Sequence, residues 1–397
     1  MKATLRTLAF ISLAILAIMS VMTSSCGSRI NAEIPDRNPA TGEYDGYVVL
    51  YGDPHVHTVL SDGDETPDFA LRYARDVSNL DWCCLTDHAE MMSNDGWVAL
   101  DYYRSLPSKY DEPGEFSVLF GYEWTSNTYN HRNVYTTDNT IPIVSSRDPA
   151  YDTTSELWAL YSGYDVLIFP HHPMLATPEN WWEFSNPVNE SSIEFYSKWG
   201  LSLYDGNDRP LTEQTPGNGV FTVIAEQERH YGLIAGTDTH MTRPGSHLGE
   251  SRQTPALEYS SPGITAVWAT GNTRNAIYEA LKARRTYGLT GTRVSLEFTV
   301  NGALMGSEIA SDAAPVIEFD VSSDAPIDHI TLLKIHNQVI EEIETIPVHA
   351  LTYEGSYTDD LFTDDAGYML EVDLENTDLA LCSPVWVEFS HTGGSVL

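Results

Sequence analysis

Basic residues are scarce in this 397-residue chain: 21 Lys and Arg stand against 57 Asp and Glu, for a formal net charge of −36. A field of that sign repels polyanions, which argues against nucleic acid as a partner and serves solubility instead. Cysteine is scarce too. Four in this length cannot staple a fold, and Cys83-Cys84 and Cys382 fall within apolar runs that read as core packing. A thiol nucleophile needs exposure and a cationic neighbour, and neither accompanies them. The longest apolar run, Leu8–Met22, has 15 residues, too short to span a bilayer comfortably. Internal repeats, low-complexity tracts and heptads are absent. So are a GxSxG elbow, a GxxxxGK(S/T) phosphate loop and a GxGxxG after a strand, which removes three common chemistries. The remainder, 42% hydrophobic and 20% charged, is ordinary globular composition, long enough for two domains or a large barrel with an appendage.

Lys2 and Arg6 precede the apolar run and Thr23-Ser24-Ser25 follow it, the pattern of an export signal. With Cys26 next, the segment resembles a bacterial lipoprotein signal. The resemblance implies removal of residues 1–25 and a membrane anchor through lipid on Cys26, on the periplasmic or cell-surface side. Several acyl chains on one cysteine would tether the protein firmly. Residues 26–45 carry two prolines and no apolar periodicity, and are read as a flexible tether.

From Gly46 short apolar, β-branched or aromatic runs recur: Tyr47–Tyr51, Trp82–Leu85, Phe116–Phe120, Val134–Thr136, Val166–Phe169, Ile193–Tyr196, Gly232–Ala235 and Ile264–Ala269. Helical stretches such as Thr66–Ser78 and Thr273–Arg285 lie between several of them. Continuous rather than alternating strands, interleaved with helices, predict a parallel sheet covered on both faces, and their number over residues 46–292 suits an α/β barrel. After Arg293 the texture changes. VSLEFTV, VIEFDV, HITLLKI, YMLEVDL and VWVEFS alternate apolar with polar, predicting a smaller antiparallel β-sandwich over residues 293–397.

The chemistry follows the strands. His55 and His57 come after the first run, and Asp87 and His88 after the second. Glu123 comes after the third, and His131 precedes the fourth. His171 and His172 follow the fifth, and Asp238 and His240 follow Gly232–Ala235. Ligand-type residues thus gather at carboxyl ends of strands, the face on which α/β barrels build active sites. Residues two apart on a strand point the same way, so His55 with His57, and Asp238 with His240, can each reach one centre. Imidazoles and carboxylates together suit Zn, Mn or Fe, and several converging pairs imply more than one metal.

His55-Val-His57-Thr58, Ser61-Asp62-Gly63, Thr86-Asp87-His88, Gly121-Tyr122-Glu123, His172-Pro173 and Gly236-Thr237-Asp238-Thr239-His240 resemble the ordered motifs of the PHP (polymerase and histidinol phosphatase) superfamily. Gly263-Ile264-Thr265-Ala266-Val267 and Ala283–Gly291 resemble its secreted CehA/McbA-like branch, which carries a β-domain after the barrel. The resemblance covers residues 46–397. It implies a distorted (β/α)7 barrel holding two to three divalent ions. His55, His57, Glu123 and Asp238 would hold the first. Glu123, shared, with His131 and His172 would hold the second, and Asp62, His88 and His240 the third. His172 is preferred to His171 because the family histidine stands directly before proline. Asp53 and Asp87 would orient imidazoles through their second nitrogens. Glu194 either orders the site or pairs with Lys198.

The resemblance further implies a hydrolase in which a metal-bridging water, acidified towards neutrality, supplies the nucleophile. Glu123, His172 and Arg243 are the candidate catalytic residues. Arg132 and Lys198 are further candidates to clamp phosphate oxygens. Trp124, Trp181-Trp182 and Trp199 either line a pocket or pack the core. The expected activity is hydrolysis of a small anionic phosphate ester or phosphodiester. A carbamate, amide or ester hydrolase with the same centre is the alternative, and a non-catalytic surface binding lipoprotein the third reading.

Overall fold

The computed structural model describes residues 42–390, apart from 96, 98, 176–179, 212–213 and 247–260. The expected signal, Cys26, the tether up to residue 41 and His391 lie outside the described residues. The fold begins earlier than Gly46. Asp45 and Gly46, both at positive φ, make a two-residue turn that pairs Glu43–Tyr44 with Tyr47–Val48.

Around the site the expected strands form, and most are buried along their whole length. Tyr47–Asp53, Trp82–Cys84 and Ser117–Trp124 are parallel neighbours. Their residues alternate between two cores. Leu50, Trp82 and Leu119 pack on Ile277, Tyr278 and Leu281 of the helix Arg274–Lys282, whereas Tyr51, Cys83, Val118 and Phe120 face the other side. That helix and Pro67–Asp76 start where Thr273 and Thr66 accept a backbone N–H into their hydroxyls. Cys83 and Cys84 are fully buried, and burial raises both thiols, so packing is their role.

The sheet is mixed, not parallel throughout. Arg132–Thr136 runs antiparallel to both Ser117–Trp124 and Leu167–Pro170. Only seven residues, 125–131, join it to the preceding strand, too few for the crossover a parallel neighbour needs. Ile264–Ala269 is likewise antiparallel to Tyr47–Asp53. A separate small sheet carries Ser192–Ser197 parallel to Gly232–Ala235. It stands between Leu167–Pro170, one end of the large sheet, and Ile264–Ala269, which lies within it. Ile168 N–H donates to Asn189 O on one side, and the Thr265 hydroxyl donates to Ala235 O on the other.

After residue 292 come Val294–Val300, a long hairpin of Val316–His336 and Val339–Thr358, then Ala366–Leu374, Leu379–Cys382 and Val385–Phe389. Neighbours here are antiparallel, except that Glu308–Ser311 lies parallel to Val385–Phe389. These strands do not form a detached sheet. Leu379–Cys382 pairs with Thr286–Leu289, opposing Cys382 to Tyr287, so one sheet runs from the C-terminal strands into those around the site. The described residues belong to one compact unit.

Candidate metal centre

The strand Tyr47–Asp53 leads the chain into the site with His55 and His57, both fully buried. Asp53 sits beneath them. Its carboxylate accepts the His55 N–H, the Thr237 N–H and hydroxyl and the Gly245 N–H, tying the loop after Gly232–Ala235 to the first strand. Asp87 does the same one strand over, accepting from the Thr58 N–H and the Ser61 hydroxyl at 2.7 Å each. Neither carboxylate orients an imidazole, contrary to the sequence expectation; both are spent on backbone N–H and hydroxyl groups. Gly63 has no room for a side chain, because a Cβ would lie 2.4 Å from His57 O, and the turn it permits presents Asp62.

Four donors meet first. His55 Nε2 and His57 Nε2 are 3.2 Å apart, and each lies 3.4 Å from Glu123 Oε2. Asp238 Oδ1 is 3.1 Å from His57 Nε2 and 3.5 Å from His55 Nε2. Atoms bound tetrahedrally to one ion at 2.0–2.1 Å stand about 3.3 Å apart. This is the set implied for the first metal.

The other oxygen of Glu123 faces a second group. His131 Nδ1 lies 3.1 Å from Oε1 and His171 Nε2 lies 3.6 Å from it. His131, His171 and His172 together offer ligand atoms within 4.8 Å of one another. The structure therefore brings in His171, which the position of proline had set aside, and does so without losing His172. The third group gathers around Asp62: His240 Nε2 at 3.3 Å, His88 Nε2 at 3.6 Å and His57 Nδ1 at 3.7 Å. His57 thus faces the first group with one ring nitrogen and the third with the other.

The donors suit cations. His57 Nδ1, His172 Nδ1 and both ring nitrogens of His171 are buried without a hydrogen bond, a costly arrangement for polar atoms unless they serve as ligands. Burial holds His57 and His172 well below the usual imidazole range, and pushes His171 down to about 4, so their lone pairs are not taken by protons near neutrality. Burial opposes ionisation of Glu123, but the facing imidazoles of His88 and His171 outweigh it and keep its carboxyl well below the usual range. The same contest, won by His55 and His57, leaves Asp238 ionised. His172 and Asp238 also sit at φ 32° and 51°, a region that costs a non-glycine residue about 1–3 kcal/mol and that recurs at functional sites.

Three residues support the ligands, and the sequence offers only Glu194 among them for that role. Glu194 Oε2 lies 2.9 Å from His55 Nδ1, which aims Nε2 at the centre; Glu194 orders the site rather than pairing with Lys198. Gly236 makes room for that contact, since a Cβ there would lie 2.7 Å from both Glu194 Oε2 and His55 Cβ. The Thr125 hydroxyl donates to Glu123 Oε1 at 2.8 Å and lies 2.6 Å from His88 Nδ1, so it fixes both. Trp199 Nε1 donates to Asp238 Oδ2. Glu194 and His55 are 139 residues apart, so the sequence could offer Glu194 for the site but not name its partner.

The expected phosphate clamps fare differently. Arg132 is buried with its Nε on Glu190 Oε1 at 2.8 Å and a further N–H on Tyr129 O, so it is a structural ion pair and no clamp. Lys198 reaches the centre, with Nζ against His240 Nδ1 and over the Trp199 ring. Arg243 begins the turn after His240, its N–H donating to Thr239 Oγ1. Trp124 and Trp181 are core residues, with indole N–H groups satisfied by Tyr151 O and Asn218 O, and Trp182 is buried beside Trp181.

Residues 221–318 match a family described as a protein of unknown function, DUF3604. Curated relatives include uncharacterized proteins of Chlamydia pneumoniae and Chlamydia trachomatis, each 23% identical over 86% of this chain. The chain spans 58% of their length. Similar solved structures include a two-domain Bacteroides vulgatus protein containing a predicted PHP-like metal-dependent phosphoesterase. It is 16% identical, covering 85% of this chain and 94% of that one, with a TM-score of 0.45. Another is the lesion-specific endonuclease Q of Pyrococcus furiosus, 13% identical, covering 59% of this chain and 56% of that one, with a TM-score of 0.36.

Proposed function

We propose that the chain is a metal-dependent hydrolase of the PHP type, a phosphoesterase acting on a small phosphate ester or phosphodiester. The observation that carries the reading is the convergence of His55, His57, Asp62, His88, Glu123, His131, His171, His172, Asp238 and His240 into three adjoining groups that share Glu123 and His57. Three groups call for two to three divalent ions of the Zn, Mn or Fe kind. Their charge exceeds that of the three carboxylates among the ligands, so the pocket attracts an anion inside an acidic protein. When bound, such ions polarise a phosphoryl oxygen and acidify water towards neutrality.

The chain's own residues set that chemistry up. Glu123 divides its two oxygens between groups, which fixes their spacing. Glu194, Thr125 and Trp199 hold His55, His88 and Asp238 in place, so their donor atoms face inward before any ligand arrives. A cavity of about 620 Å³ opens beside His88 and His131, room for a small substrate. Lys198, with its Nζ against His240, brings a cation to the centre, and Arg243 follows in the turn after His240. Export, with lipid on Cys26 tethering the enzyme outside the cytoplasm, is part of the same proposal and rests on the N-terminal sequence alone.

The test is metal content by elemental analysis of the purified chain beside His57→Ala and His240→Ala, followed by assay on aryl phosphates, phosphodiesters and carbamates. Two to three ions per chain, fewer in both variants, with phosphate esters cleaved, is the expected result. Cleavage of carbamates alone would transfer the centre to carbonyl chemistry. Protein that takes up no Zn, Mn or Fe would overturn the hydrolase reading in favour of a binding role.

A further inference from the structure

The cavity beside the metal centre has a far wall, and that wall carries a cation. Ser126, Asn127 and Thr128 line the pocket with amide and hydroxyl groups, and Arg147 is the one Lys or Arg among the described residues that line it. Its guanidinium is exposed yet held. One terminal nitrogen donates to Glu90 O at 3.0 Å and to Asn94 Oδ1 at 3.1 Å, and the rest of the fork makes no hydrogen bond among the described residues.

The backbone under Arg147 is tied directly to the metal centre. Glu90, 4% exposed, accepts the Ser146 N–H with one carboxylate oxygen at 2.6 Å and the Thr125 N–H with the other at 3.0 Å. The Ser146 hydroxyl closes the same bracket by donating to Thr125 O. Thr125 is the residue that fixes His88 and Glu123. Arg147 therefore stands at a set distance from the groups that would hold the reacting phosphate. Of the acidic residues of the lining, Glu90 turns both carboxylate oxygens to N–H groups rather than to the guanidinium, and Asp152 is exposed, where solvent screens it.

We propose that Arg147 is a specificity residue that binds a second anionic group on the substrate, so that the preferred substrates are hydrophilic phosphate esters whose leaving group itself carries a phosphate or carboxylate. This rests on the phosphoesterase reading above. A planar fork that is already partly anchored suits bidentate binding of such a group at small entropic cost. The polar walls suit a hydroxyl-rich body between the two charges. The ligand-holding residues act on the scissile phosphate whatever lies beyond it, so Arg147 contributes to affinity and not to the reaction step.

The matched probes are fructose 6-phosphate and fructose 1,6-bisphosphate, assayed with the metal-loaded chain, Arg147→Ala and Arg147→Lys. Wild-type protein is expected to prefer the bisphosphate. Arg147→Ala should raise its KM about tenfold with kcat unchanged, and leave the monophosphate KM within about twofold. Arg147→Lys, which keeps the charge and loses the fork, should fall between. Equal KM changes on both probes, or none on either, would overturn the proposal. If metal is bound and neither probe is cleaved, nor any aryl phosphate or phosphodiester, the phosphoesterase reading fails separately. Calorimetric binding of the bisphosphate to metal-loaded wild-type and Arg147→Ala protein then decides the inference: tenfold weaker binding supports it, and equal affinity sinks it.

Discussion

Histidines occur on both sides of residue 292, and the two sets have opposite fates. Around the centre, His55, His57, His171 and His172 are buried, several ring nitrogens have no hydrogen bond, and neighbouring rings lie as close as 4.3 Å. In the C-terminal strands, His329 and His349 are partly or largely exposed and pair with nearby carboxylates, Asp328 at 2.8 Å and Glu375 at 3.2 Å. Water and a surface partner satisfy the second set at little cost or gain. In the first set His57 Nδ1, His172 Nδ1 and both nitrogens of His171 have neither, and an ion would be the partner that offsets their burial. Residue type alone does not distinguish a ligand from decoration; burial without a hydrogen-bond partner does.

The sharpest way to break that contrast is to exchange the outcomes. His57→Ala and Asp238→Ala should strip metal from the chain and lower hydrolysis by more than about 10³-fold, whereas His329→Ala and His349→Ala should change neither. Elemental analysis beside a phosphatase assay reads both. Loss of metal in the second pair would mean that the surface histidines also ligate.

A second contrast separates buried charge used for stability from buried charge used for binding. Arg132→Ala leaves the buried Glu190 charge without its cation, held by the Asn186 N–H and the Tyr231 hydroxyl, and should cost about 3–5 kcal/mol in denaturant unfolding. Metal content of the folded fraction should be unchanged. A metal loss as large as that of His57→Ala would return Arg132 to the site.

Next in size is the support behind His55. Glu194→Gln keeps the shape and removes the charge, and should weaken metal affinity about 10–100-fold while far-UV circular dichroism stays the same. Competition against a chelator of known affinity measures it.

The smallest effect belongs to the C-terminal strands. Burial, with the charges of Asp373 and Glu342, pushes the Glu371 carboxyl up to about 8. The folded state then keeps a proton that the unfolded chain has released, so stability falls as pH rises from about 5 towards 8. Glu371→Gln should flatten that slope, as followed by thermal melts across the range. An unchanged slope would place the titration elsewhere.

Much of the centre was legible because its ligands obey local rules. His55 with His57 and Asp238 with His240 share the two-residue period of an extended chain, and strand ends mark where barrels place chemistry. What was not legible depends on pairing across the chain. Proline after His172 pointed to one histidine, but only the fold shows His171 Nε2 turned to Glu123. Arg132 sits beside a motif residue, yet its partner Glu190 is 58 residues away. The reversed direction of Arg132–Thr136 was implied by a seven-residue connection, a signal that strand texture alone overrode. The change of texture near residue 292 is real in the sequence, but register between distant strands has no local mark, so the join of Thr286–Leu289 to Leu379–Cys382 could not be read there.

That join has a consequence for how the protein is made. Thr290 and Leu379, bonded to each other beside it, are 89 residues apart. While the chain is being synthesised, the strand Thr286–Leu289 leaves the ribosome with one edge bare and waits for nearly all the later strands before it is covered. Chains grow at about 5–20 residues per second, so that edge stays open for several seconds at least. Until Leu379–Cys382 arrives, Thr286–Leu289 lacks its neighbour on that edge, and a chaperone that shields a bare strand edge would act in this interval.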